Sequence, residues 1–284
     1  MDVKKVEMRF LRDDGLEFIL GNEDWGILSL EGADSLETEI YTESNAMGEG
    51  EFITGEQVKS REIIFVADTK RLSELSVKRQ SAMAFFNRKR SFKVYLSYRG
   101  VTRWIEGRLA GFKCPTNNVF EAVEITGTLL CPEPYWKSVD EFGKDIANII
   151  PAFGFPYNAL VGKQYPVGYS EFAKEVHIYN DGDAETQIRA VITAKDVVSV
   201  PALIKDDYGI YINVAMDTGD VIEIDFGERS VRMNGENIIT KLQKKSSLTN
   251  MALNIGDNIV SYSADDGDAN MAVNIYYNKR YQGV

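Results

Sequence analysis

The sequence contains few of the residues from which most catalytic sites are built. Its 284 residues include a single histidine, His177. One histidine cannot form a histidine cage for a metal, and no Gly-x-Ser-x-Gly motif accompanies it as a nucleophile elbow would require. We therefore interpret His177 as a solvated or partly packed strand residue beside Glu175 and Tyr179. The sequence predicts no catalytic residue and a protein that is not an enzyme.

Binding motifs for metals and nucleotides are also missing. The two cysteines, Cys114 and Cys131, lack Cys-x-x-Cys spacing, so a zinc site would lack ligands. We interpret both as buried apolar residues of a reduced compartment, and a disulfide between them stays open. No glycine-rich phosphate loop occurs. The acidic turns at 180–183 and 265–268 offer calcium-type ligands, but tight turns need the same residues. We expect no metal and no cofactor.

Long apolar runs and an excess of positive charge are missing as well. The longest apolar run, at 148–155, is far shorter than the ~20 residues of a membrane span. The net charge of −11 and the pI near 4.8 make the average surface repel phosphate backbones. The first seven residues carry two lysines without an apolar stretch behind them, unlike a secretory signal. We therefore expect that the protein does not span or bind a membrane and does not bind nucleic acid. We expect it to be made and kept in the cytoplasm until it is assembled.

What the chain does have is enough length for two domains. Pro132 and Pro134 follow a strand-like segment, and two prolines in three positions cannot serve in a central strand. This predicts a boundary, with a first domain at 1–134 and a second at 169–284. Between them, 135–168 is predicted to be a packed, irregular connector. Aromatic residues are expected to hold it in place: Phe142, Phe153, Phe155 and Tyr157.

The first domain has the pattern of an α+β fold, with strands, one helix and a hairpin. Period-two alternation at 3–10, then an Asp-Gly turn and 16–20, predicts an opening hairpin. The Gly- and Glu-rich stretch 31–56 predicts short strands around an exposed loop. Further strands are predicted at 61–66, 92–96, 102–109 and 119–130.

One long helix is predicted from Thr69 to Asn87, capped by Asp68-Thr69. On a helical wheel the apolar residues fall on one stripe that would pack on a sheet. The stripe consists of Leu72, Leu75, Ala82, Met83 and Phe86. Arg79 projects from the same face, so it either snorkels to the edge or contacts a neighbouring subunit.

The second domain has the pattern of a β-sandwich or jelly roll. Strand patterns recur about every ten residues between Asp-Gly and Asn-Gly turns. The predicted strands are 175–179, 186–194, 208–214, 221–226, 230–233, 258–263 and 271–277.

Four segments are together typical of one protein family. They are the strand 61–65, the helix end Phe85-Phe86-Asn87, the segment Cys131-Pro132-Glu133-Pro134-Tyr135-Trp136 and the turn Asn180-Asp181-Gly182-Asp183. The chain resembles the distal tail proteins of long-tailed bacteriophages, also called phage tail family proteins. Its closing segments 226–235, 254–258 and 281–284 are also similar to that family. Gln187-Ile188 depart from the pattern, since the family commonly has a proline there.

The resemblance implies a structural protein of a phage or prophage tail. In that family a hexameric ring, formed mainly by the first domains, carries galectin-like second domains that project outward. The ring would join the tail tube protein to the tip proteins that carry adsorption, in the virion tail. Within this picture, we expect four residues to form the joint that fixes the angle between the domains: Pro132, Pro134, Tyr135 and Trp136.

A ring also needs two different complementary patches on each subunit. The acidic surface and a basic helix region could supply opposite charges for that contact. We expect the basic side of the subunit interface to include Arg79, Arg88, Lys89 and Arg90.

A carbohydrate-binding adhesion module is the alternative function, and an unrecognised hydrolase is a third without a supporting motif. Exposed tyrosines of a sandwich could stack on sugar rings, although their alternation with apolar neighbours is explained equally well by packing within a sheet. The tyrosines in question are Tyr165, Tyr169, Tyr208, Tyr211, Tyr276, Tyr277 and Tyr281. A stable hexamer of 31.9 kDa chains would favour the tail protein. Glycan binding by the isolated second domain would favour the adhesion module.

Overall fold

The protein folds as two compact units. A computed structural model describes residues 6–45, 48–116, 121–139, 142–145, 148–151, 168–171 and 175–284. Unit 1 comprises Met1–Val139 with Arg280–Val284, and unit 2 comprises Asp140–Lys279. The predicted fold class is confirmed, since the described residues form mainly antiparallel sheets with one α-helix. Among them, no helix is long and apolar enough to cross a membrane.

Unit 1 is built on one large antiparallel sheet. Its elements are β1 (Glu7–Arg12), β2 (Glu17–Leu20), β3 (Trp25–Glu31), β4 (Thr38–Ser44), β5 (Glu51–Val58), β6 (Arg61–Thr69), α1 (Leu75–Phe85), β7 (Ser91–Tyr98), β8 (Val101–Lys113), β9 (Glu124–Cys131) and β10 (Trp136–Ser138). Seven of these strands follow the order β2-β1-β7-β8-β9-β6-β3. β10 adds to the start of β8, where Lys137 lies opposite Trp104.

The predicted hairpins of unit 1 form because their turns contain the residues that positive φ requires. Gly15, with φ of 84°, joins β1 to β2. Between β7 and β8, Arg99 and Gly100 both have positive φ, which is the two-residue turn that matches the twist of paired strands. Both hairpins are confirmed, apart from positions 3–5, which lie outside the described residues.

The core of unit 1 lies on one face of this sheet. Residues alternate between buried and more exposed along β6 and β7, so that each strand turns one face inward. Phe86, just after α1, lies at the centre of the aromatic rings of this core. Its ring centroid is 4.9–6.2 Å from those of Phe10, Phe18, Phe65, Phe85, Phe92 and Phe112.

The predicted helix is too long at its start and its stripe is partly wrong. Strand β6 continues to Thr69 because it pairs with both β3 and β9, so Asp68-Thr69 do not cap a helix. The helix begins at Leu75, after Glu74 in the left-handed region. Its core contacts are Ala82, Phe85 and Phe86. The predicted stripe members Leu72 and Met83 are instead exposed.

The secondary structure of the described part of unit 2 consists of strands and two short 3-10 helices. The strands are β11 (Phe142–Asp145), β12 (Asn148–Pro151), β13 (Gly168–Glu171), β14 (Glu175–Asn180), β15 (Ile188–Ala194), β16 (Val198–Ser199), β17 (Ala202–Lys205), β18 (Tyr208–Tyr211), β19 (Ala215–Met216), β20 (Val221–Asp225), β21 (Ser230–Met233), β22 (Glu236–Asn237), β23 (Gly256–Ser263) and β24 (Met271–Tyr277). Short 3-10 helices lie at Ile239–Lys241 and Asp268–Asn270. The chain then returns to unit 1 as β25 (Arg280–Tyr281).

Two sheets of unit 2 share one apolar core. One has the order β11-β24-β15-β20-β21-β22 and the other the order β14-β23-β17-β18. Buried residues of both sheets, such as Ile192 and Ile224 in the first and Ile178 and Leu203 in the second, belong to a single cluster. This is the predicted sandwich. All seven predicted strands are present, and β17 is one that the alternation did not reveal.

The ends of the two units differ from the predicted boundaries at 134 and 168. Unit 1 continues through β10 to Val139, and it regains the last five residues of the chain. Within 135–168, strand β11 pairs with β24 and β12 pairs with β13, so this stretch is less irregular than predicted. Phe153, Phe155 and Tyr157 lie outside the described residues.

Candidate assembly surfaces

Unit 1 carries a two-stranded hairpin, β4 and β5, that we call the arm (residues 38–58). The two strands pair with each other, from Thr38 opposite Val58 to Ser44 opposite Glu51, and form a sheet of their own. Every residue of β4 is exposed. An isolated hairpin is marginally stable in water, so an arm of this kind is expected to gain stability from a partner.

The arm exposes apolar side chains on both of its faces. Because side chains alternate along a strand and Thr42 lies opposite Ile53, Ile40 and Ile53 share one face. Tyr41 and Phe52 share the other. The exposed fractions of Phe52 and Ile53 are 61% and 71%, which is unusual for large apolar residues that neighbour each other. These four residues give the arm an aliphatic face and an aromatic face.

The arm is also acidic. It carries five glutamates, with a sixth just before it at Glu37, and no Lys or Arg occurs between positions 35 and 58. Its closest basic residue, Lys59, forms an ion pair of 3.6 Å with Glu39 at the base. The like negative charges make contact between the tips of two arms unfavourable.

A groove of about 650 Å³ lies beside β3 in unit 1. Five consecutive residues of β3 line it, from Gly26 to Leu30. Consecutive residues point to alternate faces, so it is the edge of β3 that faces the groove. In the described part of the chain β3 pairs with β6 alone, which leaves that edge open.

Apolar side chains form the walls of the groove. A bulge between Ile27 and Ser29 projects Leu28 outward, with 57% of it exposed, and Tyr98 is 40% exposed on the opposite wall. At Gly21, where φ is 89°, a Cβ atom would lie 2.2 Å from the carbonyl oxygen of Val6, so a side chain there would disrupt the floor. No local pattern in the sequence indicates this groove, because its lining residues are far apart in the chain, from Val6 through Lys70 and Tyr98 to Val284.

The predicted joint residues lie inside unit 1. Trp136 is fully buried and its Nε1 donates to the carbonyl oxygen of Ala33 at 2.8 Å. Tyr135 is half-buried next to Arg280, and Pro134 uses its carbonyl group as an acceptor. The structure thus places Trp136 in the core of unit 1. Its role in fixing an angle between the units stays a prediction.

Arg61 connects three segments of unit 1 through one buried guanidinium group. Its Nε donates to the carbonyl oxygen of Pro134 at 2.6 Å, and its Nη1 to that of Gly32 at 2.6 Å. Its Nη2 donates to the carbonyl oxygen of Gln282, in the last five residues. Burial lowers the pKa of Arg61, because desolvation disfavours the charged form. In the sequence, Arg61 was noted only as the first residue of the strand 61–65 that is similar to the family. Nothing there indicated that its side chain binds three carbonyl groups.

Further contacts fix the last five residues to unit 1. Strand β25 pairs with β10, with Tyr281 opposite Trp136. Arg103 lies over the ring of Tyr281 at 3.5 Å and donates to the carbonyl oxygen of Gly283. Arg280 forms an ion pair with Glu133. In the sequence, unit 2 is therefore an insertion between β10 and β25, two strands of unit 1 that pair with each other.

The predicted basic interface residues do not all lie on the helix. Arg88, Lys89 and Arg90 are exposed in the turn after α1. Arg90 forms ion pairs with Asp13 at 3.2 Å and with Asp14 at 3.7 Å, so it contributes to the fold of unit 1. Asp14 has a pKa lowered to about 2, mainly by its hydrogen bond to Arg12. Arg88 and Lys89 form no ion pair with the described residues.

Arg79 is directed toward the body of unit 1. Its Nη2 donates to the carbonyl oxygen of Cys114 at 3.1 Å, and the side chain is partly buried. The guanidinium group therefore binds the body of unit 1, and both the snorkelling interpretation and the contact with a neighbouring subunit stay predictions. The two cysteines form no disulfide with each other. Burial raises the pKa of the Cys131 thiol to about 12, as expected for a buried apolar residue.

In the acidic turn at 180–183, side chains hold the turn together by hydrogen bonds and an ion pair. Asn180 is buried, accepts from the backbone N–H of Gly182 at 3.0 Å and donates to the carbonyl oxygens of Ala184 and Leu253. Lys279 pairs with Asp181 at 2.6 Å and lowers the pKa of its carboxyl group. Across the described residues, no group of three or more His, Cys, Asp or Glu side chains could hold a metal ion.

The candidate sugar-stacking tyrosines do not form one surface. Tyr277 is buried in the core of unit 2, and Tyr281 belongs to unit 1. Tyr208 is exposed, whereas the ring of Tyr211 is covered by the Lys245 ammonium group at 3.5 Å. Tyr165 lies outside the described residues. His177 is exposed on β14, opposite Ile259.

Comparison with known proteins confirms the family resemblance. Residues 181–281 match the family of siphovirus-type tail components, C-terminal domain. A comparison with curated protein sequences found no match. The matched segment covers most of the sandwich of unit 2.

Solved structures share the fold over nearly the whole chain. The Dit (gp 19.1) protein of phage SPP1, described as a paradigm of the hub adsorption apparatus in phages that infect Gram-positive bacteria, aligns with a TM-score of 0.70 and 13% identity. The alignment covers 96% of this chain and 98% of that chain. A chain of the activated phage p2 baseplate with Sr aligns with a TM-score of 0.58, at 11% identity over 98% and 99% of the two chains. The same baseplate with Ca gives 0.55, at 10% identity over 99% of each chain.

Proposed function

We propose that this chain is a structural protein of a long phage or prophage tail, forming a hexameric hub at the distal end that joins the tail tube to the tip proteins. The match of the sandwich to siphovirus-type tail components and the shared fold with the SPP1 hub protein support a tail role. We further propose that the hub assembles in the host cytoplasm and acts without catalysis or cofactors.

The arm is the observation that carries this proposal. Neither catalysis nor sugar binding accounts for a largely exposed hairpin with apolar residues on both faces. A subunit of a ring does, because a head-to-tail contact requires a projecting element that fits a different surface on the next copy. The arm provides such an element in unit 1, the unit to which the ring is assigned.

Measuring the mass in solution tests the proposal. We expect the purified chain to form a species of six times 31.9 kDa in sedimentation equilibrium. Replacing Phe52 and Ile53 together with serine should leave a monomer, because both faces of the arm lose their most exposed apolar residue. The unfolding midpoint should change little, since neither residue is buried.

The matched control is Ile255→Ser, which removes an isoleucine of similar exposure from unit 2 and should leave the hexamer intact. A parent chain that stays monomeric at every concentration would contradict the proposed function. If isolated unit 2 then bound glycans, the adhesion module would replace it.

The basic turn is proposed as a second part of the subunit interface. Replacing Arg88 and Lys89 with glutamate, while keeping Arg90 for its pairs with Asp13 and Asp14, should weaken the ring about tenfold. The effect should shrink at high salt, because exposed charges are screened.

Two exposed lysines of unit 2 provide the control for the basic turn. The double variant Lys241→Glu with Lys244→Glu makes the same change in charge and should not affect the ring. Equal ring stability in both double variants, followed by dilution in light scattering, would remove the basic turn from the interface.

A further inference from the structure

We propose that a chain can enter the ring only after residues 280–284, which we call the clasp, have been synthesised and have docked on unit 1. The clasp belongs to unit 1, yet it follows the whole of unit 2 in the sequence. This inference rests on the proposed function, because the ring is the assembly that the clasp would control. It goes beyond that function by naming what decides when a subunit becomes competent to assemble.

The clasp contacts several separate segments of unit 1. Arg61 on β6 and Arg103 on β8 donate to two of its carbonyl groups, those of Gln282 and Gly283. Strand β25 at its start pairs with β10. Val284 at its end packs against the apolar core of unit 1. Five consecutive residues therefore connect three strands and the core.

The fit of the clasp is close at both of its ends. A Cβ atom at Gly283 would lie 3.1 Å from the carbonyl oxygen of Asp34, so a side chain there would force its neighbour to move. Arg280 forms an ion pair with Glu133, just before β10. These contacts make the clasp a part of the folded unit 1, which is incomplete without it.

Without the clasp, the rest of unit 1 would contain a buried charge with too few partners. Arg61 is 4% exposed and would lose one of its three carbonyl acceptors. Leaving a buried charged donor unsatisfied destabilises the surrounding fold. Among the described residues, β10 pairs only with β8 and β25, so it would also lose one of its two neighbours. We therefore expect the region around Arg61 and β10 to stay open until the clasp docks.

The order of synthesis turns this dependence into a control of assembly. Domains generally fold as units during synthesis, beginning with the N-terminal one. Unit 2 occupies positions 140–279, and at roughly 5–20 residues per second the clasp follows the rest of unit 1 after on the order of ten seconds. A chain that stops within unit 2 never gains the clasp. The ring would thus be built from chains that contain a whole unit 2.

Co-expression tests whether the clasp controls assembly. A tagged chain ending at Lys279 is produced together with the untagged full-length chain, and the hexamers are isolated by size. We expect these hexamers to contain no tagged chain. A tagged chain in which five Gly and Ser residues replace the clasp should also be excluded, because the contacts and not the length are required. The tagged full-length chain is the control and should be incorporated.

Labelling of Cys131 tests the state of unit 1 directly. Cys131 is fully buried and lies opposite Arg61 in the pairing of β6 with β9. In chains carrying Cys114→Ser it is the only thiol. A maleimide should react with it at least about tenfold faster in the chain ending at Lys279, since the loss of one charge-assisted hydrogen bond is sufficient for that factor.

A pair of point variants provides the matched comparison in the full-length chain. Tyr281→Ala removes the ring that Arg103 covers at 3.5 Å, and it should also speed the reaction of Cys131. Tyr179→Ala removes a tyrosine of unit 2 that is 61% exposed, and it should leave the rate unchanged.

Arrested nascent chains test the order of folding. The full sequence, with Cys114→Ser, is followed by a flexible tether and a sequence that stalls the ribosome. A short tether keeps the clasp inside the exit tunnel and a long tether releases it, whereas the rest of unit 1 has emerged in both. Cys131 should react with the short tether and be protected with the long one. With the long tether, replacing the clasp by Gly and Ser residues should keep Cys131 reactive.

The outcomes separate this inference from the proposed function. Exclusion of the chain ending at Lys279 from hexamers, together with a reactive Cys131 while the clasp is in the tunnel, supports the inference. Incorporation of that chain, or a Cys131 that is already protected with the short tether, overturns it while the proposed function stands. A parent chain that forms no hexamer overturns the proposed function and the control of assembly together.

Discussion

Replacing Arg61 with leucine is expected to destabilise unit 1 by about 3–5 kcal/mol. The guanidinium group donates to the carbonyl oxygens of Gly32, Pro134 and Gln282. Leucine has no donor, so three carbonyl groups would lose a charge-assisted hydrogen bond in a site where Arg61 is only 4% exposed. The segments that these carbonyls belong to would lose their common attachment.

Tryptophan fluorescence during denaturant unfolding can measure this effect in unit 1 alone. All three tryptophans of the chain, Trp25, Trp104 and Trp136, belong to unit 1, so unit 2 does not contribute to the signal. The variant Arg61→Lys should recover only part of the loss, because one ammonium group cannot donate to three separate carbonyls with the geometry of the guanidinium fork.

The matched control for Arg61 is Arg71→Leu. Arg71 pairs with Glu23 on the surface, with 60% of its side chain exposed, and such pairs contribute little to stability. We expect a change within about 0.5 kcal/mol. Similar effects of the two leucine variants would mean that the carbonyl contacts of Arg61 do not stabilise the fold.

Replacing Phe86 with alanine is expected to destabilise unit 1 by about 3–5 kcal/mol. Phe86 is 3% exposed and lies within 6.2 Å, centroid to centroid, of six other phenylalanine rings. Those rings belong to five different strands and to α1. Because each is held by its own backbone, they cannot all move into the space that the removed ring leaves. The same fluorescence measurement follows the loss.

The control for Phe86 is Met83→Ala, three residues earlier on α1. Met83 is 49% exposed although the helical wheel assigned it to the core stripe. We expect less than about 1 kcal/mol for it. A loss as large as that of Phe86→Ala would restore the predicted stripe and contradict the packing described above.

The helix illustrates where local sequence signals fail. Thr69 looks like a cap because Asp and Thr favour that position and an apolar period follows. In the structure Thr69 lies opposite Trp25, and Asp68 lies opposite Glu124, so the residues are used by a strand that pairs on both sides. Pairing with two neighbours outweighs a cap that contributes about 1 kcal/mol. The helix can begin only where this pairing ends.

The assembly surfaces illustrate a second limit. For the stretch 31–56 the sequence predicted short strands around an exposed loop. The structure has a similar arrangement there, the arm. A signal for the arm was present in Ile40-Tyr41 and Phe52-Ile53, apolar pairs flanking a Gly-Glu-rich segment. These apolar pairs alone do not indicate that both faces of the arm remain exposed. The groove could not be predicted, because Val6 before β1, Leu28 in β3 and Tyr98 in β7 come together only when the sheet of unit 1 forms.

The sequence by itself determined the fold class, the hairpins and the strands of the sandwich. These depend on neighbours in the chain: period-two alternation, and glycine, asparagine or aspartate where φ must be positive. The tertiary structure alone decided that Trp136 is a core residue and that the last five residues return to unit 1. It also decided that Arg61 binds the carbonyl oxygens of Gly32, Pro134 and Gln282. Arg61 and Gln282 are 221 positions apart, and no local pattern encodes a contact whose partner is chosen by packing.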